Sequence, residues 1–168
     1  MKENLKELTG KSYYEAVEKL VDILYQKYGD LRGPEADTEV LSVARGGLVP
    51  ATYVVYRLGC PINFMYLRSY PKPGMQKQVE AYSILPFRSK KLPRRIIVVD
   101  DIQDTGRSFE FLRDFFKENF NIVDDSRVEI VYAVVVWRKR EGIEAPDFYG
   151  SDTESKDWVV FPYDWQID

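Results

Sequence analysis

Val98-Val99-Asp100-Asp101-Ile102-Gln103-Asp104-Thr105-Gly106-Arg107-Ser108 is the stretch that decides the fold. Ile96-Ile97-Val98-Val99 is a continuous β-branched run, the pattern of a parallel strand buried on both faces, and it predicts a strand over Arg95 to Asp101. Asp104-Thr105-Gly106-Arg107-Ser108 then turns the chain into a helix expected from about Thr105 to Glu118, with Phe109, Leu112 and Phe116 on one face. In an open α/β sheet, ligands sit beyond the carboxyl ends of the strands. Gly106 allows backbone to approach a ligand closely. The free N–H groups and dipole of a helix start favour a phosphate. The Thr105 and Ser108 hydroxyls add donors, and Asp100 and Asp101 are placed to accept hydrogen bonds from vicinal ribose hydroxyls or to help hold Mg2+. A generic strand-turn-helix with surface aspartates is the plainer reading. The coincidence of acidic pair, glycine turn and hydroxyls in this context favours a ribose-5-phosphate cradle. No Gly-x-x-x-x-Gly-Lys-Ser/Thr loop and no Gly-x-Gly-x-x-Gly fingerprint occurs, which argues against P-loop NTPases and Rossmann dehydrogenases.

Outward from this stretch, strands alternate with helices. Ser12 to Tyr28 reads as a helix, with Ser12 and Glu15 as a capping box, Val17, Leu20, Val21 and Leu24 on the core face, and Gly29 as a stop. Glu39 to Ala44 reads as a strand running into Arg45-Gly46-Gly47. A helix follows to about Leu58, with Pro50 in its first turn and Gly59 as its stop. Ile62 to Arg68 and Val128 to Trp137 are further strands. Residues 69–93, rich in proline, lysine and arginine, read as a long loop of the kind that serves as a lid, with an excursion of paired strands over part of it as the alternative. Pro146 to Asp168, rich in Trp, Tyr and Asp, reads as a small cap and not as another βα unit. The fold class is therefore α/β, a mostly parallel twisted sheet flanked by helices, with a small C-terminal hood. One domain is expected over residues 1–168, with its core at about 12–140, a flexible lid at 69–93 and the hood at 141–168.

Composition narrows the chemistry. A net charge of −3 gives no basic footprint for nucleic acid. No apolar run is long enough for a membrane span, and Met1 to Lys6 lacks the apolar core of a signal peptide. The single Cys60 forms no internal disulfide, and a reducing cytoplasm is the simplest setting. With no histidine, Ser-His-Asp and Cys-His catalysis and Cys/His zinc sites are excluded. Acid-base work falls to Asp, Glu, Lys, Tyr or the substrate.

Val98 to Ser108 resembles the signature of the type I phosphoribosyltransferases. That resemblance implies binding of 5-phosphoribosyl-1-pyrophosphate (PRPP) by Asp100, Asp101, Asp104, Thr105, Gly106, Arg107 and Ser108. It also implies Mg2+-dependent transfer of phosphoribose to a base nitrogen with release of pyrophosphate, the metal being held near Asp100 and Asp101, mainly through PRPP and water. Val43-Ala44-Arg45-Gly46-Gly47 resembles the family's pyrophosphate loop, which often carries a non-proline cis peptide, expected here at Ala44-Arg45. Backbone N–H groups of a Gly-Gly turn and a guanidinium suit a polyanion, so Ala44, Arg45, Gly46 and Gly47 are candidate pyrophosphate ligands, with Arg45 also catalytic. Arg68-Ser69-Tyr70 resembles the start of the flexible catalytic loop of hypoxanthine-guanine enzymes and joins the same group.

Asp104 points to the acceptor. In 6-oxopurine members of the family the residue before Thr-Gly is an aspartate near purine N7, whereas adenine and uracil enzymes typically have alanine and pyrimidine-operon regulators tyrosine. Asp104 is thus the candidate acid-base residue, and a helix cap is its plainer role. After Val134-Val135-Val136-Trp137 the family places a lysine at purine O6. Spacing to Pro146-Asp147-Phe148-Tyr149 favours Lys139, with Arg138 and Arg140 as register neighbours. Asp157 to Tyr163 resembles the base-binding hood of xanthine-guanine-type enzymes, which makes Trp158 and Val159, with Ile102, candidate base contacts. Tyr163 departs from the tryptophan that family shows after the proline.

The resemblance implies a cytoplasmic purine-salvage enzyme using PRPP, Mg2+ and a 6-oxopurine base (guanine, xanthine or hypoxanthine), with no nucleic-acid or membrane partner, assembled as a homodimer or homotetramer. Two alternatives stand beside it. One is a phosphoribosyltransferase for orotate, uracil or adenine; the other is a non-catalytic sensor of PRPP or nucleotide on the same fold.

Overall fold

The computed structural model describes residues 5–7, 10–33, 36–70, 78–84, 93–120 and 128–164. The elements run β1 (Leu5–Glu7), α1 (Gly10–Tyr28), β2 (Thr38–Ala44), α2 (Leu48–Leu58), β3 (Ile62–Tyr70), β4 (Gln78–Ile84), β5 (Arg95–Gln103), α3 (Arg107–Phe120), β6 (Glu129–Arg138), β7 (Phe148–Thr153) and β8 (Trp158–Val160). Six strands form one sheet in the order β4-β3-β2-β5-β6-β7. All neighbours are parallel except the β3–β4 pair. Among the described residues, no helix is long and apolar enough to cross a membrane.

β5 shows why the sheet is covered on both sides. Successive side chains of a strand point to opposite faces. Ile97 and Val99 pack with Val17, Leu20 and Leu24 of α1 and Val54 and Leu58 of α2. Ile96 and Val98 pack with Phe109, Leu112 and Phe116 of α3. All four β5 residues are fully buried. α2 ends as its sequence predicts, at Gly59 in the left-handed region (φ 78), whose N–H bonds the Val55 carbonyl.

This topology fixes where a ligand can sit. β2 and β5 are central neighbours, and the chain leaves them in opposite directions: through α2 to β3, and through α3 to β6. Such a switch in strand order opens a crevice beyond the carboxyl ends of the two strands. Arg45-Gly46-Gly47 and Asp104-Thr105-Gly106 are the two turns at its lips.

Several boundaries differ from the expected ones. α1 starts at Gly10, so Ser12 lies inside the first turn and is not the cap. β5 continues through Gln103, and α3 starts at Arg107, later than Thr105. Gln78–Ile84 within the expected loop is a strand paired antiparallel with β3; residues 71–77 and 85–92 of that segment lie outside the described residues. The tail is more than a cap. β7 joins the main sheet beside β6, while β8 pairs in parallel with β1, Leu5 opposite Trp158, as a separate two-stranded hood. Residues 165–168 of the expected hood also lie outside the described residues.

Candidate active site

The end of β5 brings two carboxylates into a low-dielectric crevice. Asp100 is only 8% exposed, and its Oδ1 accepts the Asp101 backbone N–H at 2.9 Å. Burial, then the neighbouring Asp101 charge, pushes the Asp100 carboxyl well above the ordinary carboxylate range. Burial raises Asp101 as well, opposed chiefly by a hydrogen bond from the Tyr163 hydroxyl to its Oδ2 at 2.9 Å. Two such groups side by side favour sharing a proton, or neutralisation by a ligand's hydroxyls and cations.

The turn after β5 is built for an anion. Gly106 has φ 74, a conformation natural to glycine, and its carbonyl accepts the Phe109 and Glu110 N–H groups as α3 begins. The first-turn N–H groups of a helix have no intrahelical acceptors. Residues 100–109 and Trp158 line a cleft of about 270 Å³ here, so Asp100, Asp101, Ile102, Asp104, Thr105, Gly106, Arg107 and Ser108 surround one space.

The Arg45-Gly46-Gly47 loop meets this space from β2. The Ala44-Arg45 peptide is cis, at the bond the family resemblance singled out. A Cβ on Gly46 would fall onto the Asp101 carboxylate, and one on Gly47 would stand 2.6 Å from the Val43 carbonyl oxygen and against that of Val99. The loop therefore packs directly on the acidic pair because it has no side chains at these two positions. Arg45 is exposed. Arg68, Ser69 and Tyr70 form the end of β3, opposite Glu80, Val79 and Gln78.

A second recess of about 180 Å³ adjoins the first and shares Asp101, Ile102, Asp104 and Trp158 with it; Arg138, Val159, Phe161 and Asp164 complete its wall. Trp158 remains 59% exposed, leaving an indole available for stacking. The cation in this wall is Arg138 and not Lys139. Arg138 is 5% exposed, donates to the Asp157 carbonyl at 2.6 Å and stands 3.4 Å from Asp104 Oδ1, while its Nε has no partner among the described residues. Arg140 reaches the same Asp104 oxygen at 2.5 and 2.8 Å. Lys139 instead pairs with Asp152 at 2.5 Å and lies over the Trp137 ring; the Asp152 hydrogen bond leads in raising its ammonium pKa. Side-chain alternation at a strand end decides which of three consecutive cations turns inward, and spacing alone does not carry that information.

The sequence did not single out Tyr163 as part of the site, and Arg138 stood there only as a register neighbour of Lys139. The only signals were the departure from tryptophan at position 163 and the Trp137-Arg138-Lys139-Arg140 run.

With this geometry in place, comparison with known proteins is decisive at the level of family. The model of the phosphoribosyl transferase domain matches residues 10–168. The chain belongs to the phosphoribosyltransferase family. Similar relatives include the xanthine-guanine phosphoribosyltransferase of Idiomarina loihiensis, 26% identical over 129 residues, covering 76% of this chain and 71% of the relative. That of Gluconobacter oxydans is 26% identical over 147 residues, covering 86% and 76%. Among solved structures, the purine phosphoribosyltransferase of Pyrococcus horikoshii superposes with a TM-score of 0.71 at 25% identity, covering 96% of this chain and 95% of that one. As a phosphoribosyltransferase the molecule is a pentosyltransferase, and its five parallel strands with flanking helices are the type I fold of that family.

Proposed function

We propose that this phosphoribosyltransferase is a purine-salvage enzyme that moves the 5-phosphoribosyl group of PRPP onto a 6-oxopurine base, guanine, xanthine or hypoxanthine, giving the nucleoside monophosphate and pyrophosphate. The observation that carries the reading is the position of Asp104, a carboxylate on the wall common to the anion cleft and to the recess under Trp158. The xanthine-guanine relatives support the same acceptor class, and the purine phosphoribosyltransferase structure supports a purine acceptor.

In this reading the 5-phosphate of PRPP lies on the Thr105–Ser108 turn at the start of α3, and Asp100 and Asp101 accept from the ribose hydroxyls. Ala44, Gly46 and Gly47, with the Arg45 guanidinium, receive the pyrophosphate, so negative charge leaving C1′ develops against fixed donors. Arg68, Ser69 and Tyr70 supply further donors at the same end of the sheet. The base stacks on Trp158, with Ile102 and Val159 beside it and a cation of the Arg138-Lys139-Arg140 run at its O6; the family pattern suggests Lys139, while Arg138 is the one in this wall. The base nitrogen forms the bond to C1′ as the bond to pyrophosphate breaks, and Asp104 accepts the N7 proton. Residues 69–93, of which Gln78–Ile84 form β4, are the candidate lid, and a cover there would keep water from an oxocarbenium-like transition state.

The donor set suits Mg2+. Asp100 and Asp101 offer hard oxygens at the cleft, and among the described residues no group of three or more His, Cys, Asp or Glu forms a metal cage. Asp100 and Asp101 would hold the cation mainly through PRPP oxygens and water, and it would neutralise charge on the pyrophosphate. The reading includes one domain, a cytoplasmic setting and a homodimer or homotetramer; the exposed Leu48, Tyr53, Tyr56, Ile62 and Phe64 offer apolar surface for a second copy.

Incubation with radiolabelled guanine, xanthine or hypoxanthine, PRPP and Mg2+ tests the reading. Labelled nucleotide is the expected product, and no turnover of any of the three rejects it. Asp104→Ala is expected to lower kcat on the order of 10²–10⁴-fold. A near-normal rate would remove the N7 role and favour another acceptor.

A further inference from the structure

Tyr163 lies beyond the hood strand that carries Trp158 and Val159, yet its hydroxyl does not face a base. It donates to Asp101 Oδ2 at 2.9 Å and stands 3.4 Å from the Gly46 carbonyl oxygen. A phenol has one proton to give, and the closer, charged acceptor takes it. The ring is held without slack. It stacks on Phe161 with centroids 5.4 Å apart and planes 2° from parallel, and it meets the buried Tyr13 ring edge-on at 5.7 Å. Helix α1, the hood, the β2 turn and the end of β5 therefore converge on one hydroxyl.

We infer that Tyr163 is a positioning residue for the PRPP half of the site: its hydroxyl ties the Asp101 carboxylate against Gly46, so that the acidic pair and the pyrophosphate loop keep one fixed spacing. The inference rests on the proposed donor, PRPP. Asp101 is hemmed in on the loop side, since even a methyl group at position 46 would overlap it. With one lone pair of Oδ2 engaged by the phenol, the carboxylate keeps a fixed orientation and still has lone pairs to accept from a ribose hydroxyl. Without the phenol, the carboxylate is free to rotate about its side-chain torsions, and binding of the donor must then restrict that motion. Tyr163 itself lines neither recess and acts through Asp101, which faces both; its approach to Gly46 of the pyrophosphate loop is what directs the effect to the donor.

Tyr163→Phe keeps the ring and its stacking and removes only the hydroxyl. The expected result is a rise of about tenfold in KM for PRPP, with KM for the base and kcat within about twofold of the parent. A purely structural role for the hood would raise both KM values together, and that outcome, or an unchanged KM for PRPP, overturns the inference. Tyr163→Leu, which also removes the ring, is the contrast: both KM values rise. Calorimetric titration of parent and Tyr163→Phe with PRPP and Mg2+ separates this inference from the donor assignment. No binding to the parent rejects the assignment and the inference with it; binding to the parent with equal affinity in the variant rejects the inference alone.

Discussion

Gly46 shows at the scale of one residue how closely the two halves of the donor site are fitted. Its missing side chain is what lets the loop after β2 lie on Asp101. Gly46→Ala therefore displaces a carboxylate that Tyr163 holds in place, and kcat/KM for PRPP is expected to fall by about 10–100-fold, measured by steady-state kinetics, with the melting temperature little changed. The same residue marks what sequence reveals. Arg45-Gly46-Gly47 and Asp100 to Ser108 are legible because glycine turns, acidic pairs and hydroxyls act through local backbone, and each is contiguous. Tyr163 was not legible as a partner of Asp101, because that contact joins residues far apart in the chain and depends on how the hood sits. The choice among Arg138, Lys139 and Arg140 stayed open for a different reason: all three are cations, and side-chain alternation at the end of β6, which spacing does not reveal, turns Arg138 into the recess.

Among elements, the buried strands read most clearly. β2, β5 and β6 carry apolar, β-branched runs because both their faces are covered. β7 was hidden, and β4 was anticipated only as an alternative, paired strands within the long loop. Each sits at an edge of the sheet, and Phe148-Tyr149-Gly150-Ser151-Asp152-Thr153 has no such run. β7 instead earns its place through one close approach to α1. A Cβ on Gly150 would overlap the Ala16 backbone carbonyl and stand 3.1 Å from the Val135 carbonyl oxygen. Backbone moves far less readily than a side-chain tip, so Gly150→Ala must push the strand and helix apart. A loss of about 2–4 kcal/mol of stability is expected, read from denaturant unfolding, with KM values of the folded fraction unchanged.

At the scale of the whole molecule, the acidic pair sets stability against function. The Asp100 carboxyl is raised in the folded state, so its contribution to stability is fully present below the ordinary carboxylate value and is lost as pH rises through the raised one. The ligand-free protein is thus expected to lose stability from this pair on going from about pH 4 towards neutrality. Asp100→Asn is expected to remove that loss, stabilising the ligand-free protein at neutral pH while weakening PRPP binding. Thermal melts across pH with and without PRPP and Mg2+ check both parts. The hood adds a further consequence of its own. Its two strands have three residues each, and Leu5 finds Trp158 only after nearly the entire described chain has been folded back. Closing so large a loop for so few hydrogen bonds gives no help in nucleating the fold. Strands β1 and β8, which frame the Trp158 wall, are therefore expected to open before the main sheet, and hydrogen exchange checks this: their amides should be the first of the strands to lose protection.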